Sequence, residues 1–144
     1  FTYAVGRLAL WSPDAVAVDP QGEVLRQGRF RFLAIANPRL APYGRAARQL
    51  LESMGLWRHL QPRLVRGENI GQTFHFVVSG NAELGLVAWS QLRRPGKTPQ
   101  GSWWLPPRDS HQPIEQQAVL LSKRPVARAF LDFVRSDAGR RIIR

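Results

Sequence analysis

Apolar positions along the chain fall into two kinds of run. Residues 3–11 alternate and are rich in β-formers, so one strand is expected there, closed by Ser12-Pro13-Asp14. Residues 15–28 keep no period, and Asp19-Pro20-Gln21-Gly22 reads as a turn inside a loop. Phe32-Leu33-Ala34-Ile35-Ala36 is continuously apolar, as in a buried strand. Asn37-Pro38 stops it, because proline disfavours helix in the residue before it. Leu64-Val65, Leu84–Trp89, Trp103–Leu105 and Ile114–Leu121 are the remaining strand candidates. Between them the spacing turns helical. Ala46, Ala47, Leu50, Leu51 and Met54 share one face after Pro42-Tyr43-Gly44, and Gly55 ends that helix. Ile70, Thr73, Phe74, Val77 and Val78 share another, from Gly67-Glu68-Asn69 to Gly80-Asn81. From Arg124 onward Val126, Ala127, Phe130, Leu131, Phe133 and Val134 repeat at helical spacing, and Ser136 or Asp137 caps a last helix.

Strands alternating with helices predict an α/β fold with a central, largely parallel sheet flanked by helices. The two long strands near the ends, 3–11 and 114–121, are placed to pair with each other. The chain reads as strand from Phe1-Thr2-Tyr3, and Arg140-Arg141-Ile142-Ile143-Arg144 stops inside a helical pattern without a cap. Both ends read as cut, which is expected of a piece of a longer protein.

Composition narrows the function. The 144 residues are 44% hydrophobic and 22% charged, an ordinary globular balance. The absence of cysteine excludes a disulfide scaffold, thiolate metal sites and a cysteine nucleophile. No stretch approaches the roughly 18 apolar residues of a membrane span. The net charge is +11, and every basic residue except Lys97 and Lys123 is Arg. These arginines are scattered, with short clusters at Arg93-Arg94 and Arg140-Arg141, so a solvated surface is expected rather than a nucleic-acid stripe. A positive field attracts anions in either case.

Two strand-to-helix loops carry the interest, since ligands of open α/β sheets sit beyond the carboxyl ends of strands. They are Asn37–Gly44 and Arg66–Gly71. Each presents backbone N–H groups at a helix start, and Gly44 and Gly71 would admit a ligand close to the backbone. Plain helix capping would use the same residues, and the pattern leaves both open. Enzyme chemistry finds little support. His59, His75 and His111 lack metal-ligand spacing, Asp109-Ser110-His111 are adjacent rather than folded together, and no paired carboxylates stand out. Trp103 and Trp104 could stack a base or sugar, but neighbours on a strand face opposite sides.

Leu33–Pro38 with Ala41–Ala47, Gly67–Ile70 with Gln72–Phe74, and Ser79–Ala88 together form an ordered set. Pro113-Ile114, Gln117–Leu121 and Ala129–Phe133 continue it. The set resembles the periplasmic molybdate-binding proteins of ABC transporters, within the type II periplasmic binding protein family. The resemblance implies two α/β lobes joined by hinge strands, with an oxyanion between them. Residues 1–11 would be the first hinge strand, 12–113 the second lobe and 114–121 the return strand. Residues 122–144 would form C-terminal helices packing toward a first lobe that lies mostly outside this chain. It also implies a binding role without catalysis and without a cofactor, in the periplasm. The ligand would be molybdate or tungstate, and the partner a membrane permease. The protein would be monomeric and would bind no nucleic acid; sulfate, phosphate or another small oxyanion, or an effector-sensing domain of the same fold, are the alternatives. By the same resemblance Tyr43 and Ile70 would donate backbone N–H groups, supported by Pro42, Gly44, Asn69 and Gly71. Ala88 falls where some members carry a Tyr hydroxyl, and it lacks that donor.

Overall fold

The computed structural model describes residues 1–143, which form two compact units: residues 1–6 with 114–143, and residues 7–113. The larger unit is built on strands β2 (Leu8–Ser12), β3 (Leu33–Ala36), β4 (Leu64–Gly67), β5 (Leu84–Ala88) and β6 (Ser102–Trp104), in the spatial order β4-β3-β5-β2-β6. β3 pairs parallel with β4 and β5, while β2 runs antiparallel to β5 and β6. Four strands therefore share one direction, and β2 opposes them. Every residue of β2, β3 and β5 is buried, as their unbroken apolar runs require when helices cover both faces.

The faces divide by parity along each strand. Ala9, Trp11, Ala34 and Val87 meet Val77 and Phe74 of helix α4 (Ile70–Val78), with Trp11 stacked on Phe74 at 5.2 Å. Gly85 makes this approach possible, because a Cβ there would stand 2.5 Å from Val77 Cγ2. Leu8, Leu10, Leu33, Ile35, Leu84 and Leu86 take the opposite parity and are fully buried. Helix α2 (Pro42–Ser53) packs against β2, β3 and β5, with Ala46, Ala47, Leu50 and Leu51 buried. A short helix α1 (Val24–Gln27) and α3 (Trp57–Leu60) complete the region before β4, and α5 (Trp89–Leu92) follows β5 directly.

In the smaller unit β1 (Thr2–Gly6) pairs antiparallel with β7 (Ile114–Gln117), and mutual hydrogen bonds between Phe1 and Ala118 extend the ladder. Helices α6 (Pro125–Arg135) and α7 (Asp137–Ile143) follow. Ser136 caps α7 by accepting the Gly139 N–H at 3.2 Å, and the Arg135 guanidinium lies 4.0 Å over the Phe1 ring.

Three expectations change. The single strand over 3–11 is two strands in two different sheets, parted at Arg7; residues 8–11, expected in a hinge strand, lie inside the larger sheet between β5 and β6. No proline or turn cluster interrupts the run at Gly6-Arg7, so nothing local marks the change of sheet. The return strand is regular only to Gln117, not to Leu121. Val78 was expected on the buried face of α4 but is 56% exposed, because Thr73 and Val77 already occupy the stripe that meets the sheet.

Candidate functional site

The carboxyl ends of β4, β3 and β5 lie side by side, and each leads into a helix at the same edge of the sheet. Asn37 organises the first connection. Its carbonyl accepts the N–H groups of Leu40 and Ala41 at 3.1 and 2.9 Å, and its Oδ1 accepts that of Arg39 at 3.0 Å. Its own N–H donates to the Gly67 carbonyl at 2.7 Å, which ties this loop to the end of β4.

Pro42 then opens α2 at its first position, where a missing N–H costs nothing. Ala41 precedes it in extended geometry and offers no capping side chain. Tyr43 is the second residue of the helix and is half-buried. Gly44 is buried, and a Cβ there would overlap the carbonyl oxygens of Ala36 and Asn37. This glycine serves the junction of helix and strand, a packing reason that its place in the loop did not reveal.

The second connection is shorter. Asn69 caps α4 by accepting the Gln72 N–H at 2.9 Å, and the Gln72 side chain accepts the Glu68 N–H at 2.7 Å. The Asn69 carbonyl takes both the N–H and the hydroxyl of Thr73. These bonds satisfy the third and fourth positions of the helix. The N–H groups of Ile70 and Gly71 are the two first-turn donors that the cap does not use. Gly71 is exposed, and a Cβ on it would meet only Asn69 Oδ1, at 3.2 Å.

At the third position Ala88 is 3% exposed, and its N–H donates to Gln91 Oε1 at 3.0 Å. The residue thus presents neither a hydroxyl nor an uncommitted N–H. The same carboxamide donates through Nε2 to the Ile70 carbonyl at 3.2 Å. Gln91 therefore joins the end of β5 to the start of α4, and it was missed in the sequence. The available signal was a Gln three residues into a strand-to-helix turn, half of a capping box. Ala88 in place of Ser or Thr hides that pattern.

All three carried-over positions, Tyr43, Ile70 and Ala88, stand within the larger unit at this edge. Two helices of nine or more residues begin there, so the positive ends of their dipoles lie at the same edge. Arg39, Arg45 and Arg66 are exposed on the same connections, with Glu68 as the acid nearest in sequence. Such an edge suits an anion held by neutral donors in a positive field. His59 lies on α3, His75 on α4 and His111 in the connection before β7, and no group of three metal-ligating side chains occurs among the described residues.

The family model for bacterial extracellular solute-binding proteins, SBP_bac_11, matches residues 1–144. The molybdate-binding protein ModA of Azotobacter vinelandii is 46% identical over 147 aligned residues, covering 100% of this chain and 58% of the relative. ModA of Rhodobacter capsulatus is 44% identical, with 100% and 57% covered. The solved periplasmic molybdate-binding protein of Azotobacter vinelandii superposes with a TM-score of 0.94 at 39% identity, covering 99% of this chain and 64% of that one. The substrate-binding domain of a molybdenum ABC transporter from Clostridium difficile, described as putative, shares the fold at a TM-score of 0.72 and 21% identity, with 99% and 62% covered. The chain thus spans under two thirds of the length of these relatives. A match along its whole length, on a sheet whose helix starts converge at one edge, places the chain in the bacterial extracellular solute-binding protein family.

Proposed function

We propose that this chain supplies one half of an oxyanion site in the substrate-binding component of a molybdate importer. The observation that carries the reading is the convergence of α2 and α4 on one sheet edge, with Tyr43 and Ile70 in their first turns. The N–H groups of Tyr43 and Ile70 hold two oxygens of a tetrahedral dianion, and Pro42, Gly44, Asn69 and Gly71 shape the two helix starts. Ala88 contributes no donor, since its N–H is committed to Gln91. The remaining donors come from the part of the protein outside this chain. Neutral N–H donors bound to a dianion form charge-assisted hydrogen bonds, so no Lys or Arg needs to touch the ion. The exposed arginines add field and speed encounter.

The role is binding and delivery rather than catalysis. The protein works as a monomer in the periplasm, needs no cofactor and hands its ligand to a membrane permease. Tungstate, with the same charge and shape, binds alongside molybdate, and sulfate is excluded by cavity size. Lobe closure around the ion is a hinge motion in which ligand favours the closed state. Calorimetric titration of the protein, produced at the length of its Azotobacter vinelandii relative, decides the matter. Strong heats with molybdate and tungstate and little with sulfate or phosphate are expected. Preference for sulfate or phosphate would replace the ligand, and silence with all four would remove the oxyanion reading.

A further inference from the structure

The Gln91 side chain bonds two of the three connections at once. Its Oε1 accepts the Ala88 N–H at 3.0 Å, and its Nε2 donates to the Ile70 carbonyl at 3.2 Å. The Ile70 carbonyl and the Gly71 N–H belong to the same peptide plane, so whatever holds one orients the other. A carbonyl has two acceptor sites and can take the carboxamide beside its helical partner. Donation into that carbonyl also polarises the peptide, which makes the Gly71 N–H a stronger donor. Gly71 is exposed at the first turn of α4, and the Asn69 cap takes the N–H of Gln72 rather than its own.

We propose that Gln91 is a positioning residue for the oxyanion site, fixing the Ile70–Gly71 peptide plane so that the Gly71 N–H joins the Ile70 N–H as a ligand donor. The inference rests on the oxyanion reading above and deepens it. It explains how a chain with Ala at position 88 manages without a hydroxyl there. The carboxamide that occupies the Ala88 N–H spends its other end strengthening the neighbouring connection. The position that lost a direct donor thereby supports the ion through α4.

The two ends of the carboxamide can be separated. Gln91→Glu keeps an acceptor for the Ala88 N–H and removes the donor to Ile70, while Gln91→Met removes both without adding charge. Both variants are made in the protein at the length of its Azotobacter vinelandii relative and titrated with molybdate. Each is expected to bind about tenfold more weakly than wild type, the size of one lost hydrogen bond to a charged group. A second readout needs no variant. In the amide spectrum of the wild-type protein, the Gly71 N–H is expected to shift strongly on molybdate addition. Unchanged affinity in Gln91→Met, or a Gly71 amide that does not respond while that of Ile70 does, would overturn the proposal and leave the oxyanion reading standing. A wild-type protein that takes up none of the four oxyanions would remove both.

Discussion

Asp19 shows how much one side chain can organise. It accepts the N–H groups of Gln21, Glu23 and Val24 at 2.8–3.0 Å, closing the turn into α1. Burial raises its pKa, but these backbone hydrogen bonds outweigh that effect and hold the carboxyl below its ordinary value. A carboxyl with a depressed folded pKa stabilises the fold while ionised. The contribution is complete above its unfolded value of about 3.9 and is lost as the pH falls through the lower, folded value. Asp19→Asn should flatten this acid dependence, checked by urea midpoints from about pH 6 to about pH 3. A variant as acid-sensitive as wild type in that window would discard the account. At Tyr43 the issue is binding. Tyr43→Pro removes the N–H at a first-turn position that tolerates proline, and molybdate affinity in the relative-length protein should fall about tenfold or more. Affinity equal to wild type would remove Tyr43 from the site.

Helix starts are the element that matters here, and the two candidates are built differently. α4 has a side-chain cap, and α2 has none. Asn69→Ala should therefore cost about 1 kcal/mol, seen as a lower denaturation midpoint at unchanged slope. For α2 the sensitive position is Gly44. Its added methyl would meet the carbonyls of Ala36 and Asn37, which are backbone and cannot rotate away. Gly44→Ala should cost about 1–3 kcal/mol, read in the same titration. If Asn69→Ala proved the costlier change, the packing role given to Gly44 would fail. Both loops were legible in the sequence, because Pro after the strand and Asn before the helix mark them chemically. What the loop sequence did not reveal was the work of the glycines. Gly44 answers to the end of β3, and Gly71 is exposed with only the Asn69 Oδ1 close to where a Cβ would stand.

Across the whole molecule, stability is distributed unevenly. Leu86 is fully buried in β5, whereas Phe130 is 64% exposed on α6. Leu86→Ala should cost about 2–5 kcal/mol, and Phe130→Ala in the 144-residue chain only about 0.5 kcal/mol or less. Denaturant titration of both variants checks the contrast. Equal losses would mean that α6 is packed more tightly than its exposure indicates.

The fold class and the positions of the two loops were determined by sequence alone. Continuous apolar runs require strands covered on both faces, and helical spacing marks what covers them. These are local signals, carried by residues a few positions apart. The division of residues 2–12 between two sheets was decided only by tertiary structure, because strand partners are chosen by contacts that sequence spacing does not record. The same holds for the order β4-β3-β5-β2-β6, which brings the ends of β3, β4 and β5 to one edge. It holds most clearly for Gln91, whose bond to Ile70 joins residues 21 positions apart. A hydrogen bond of that span has no period along the chain, and it exists only once β5 and α4 are packed together.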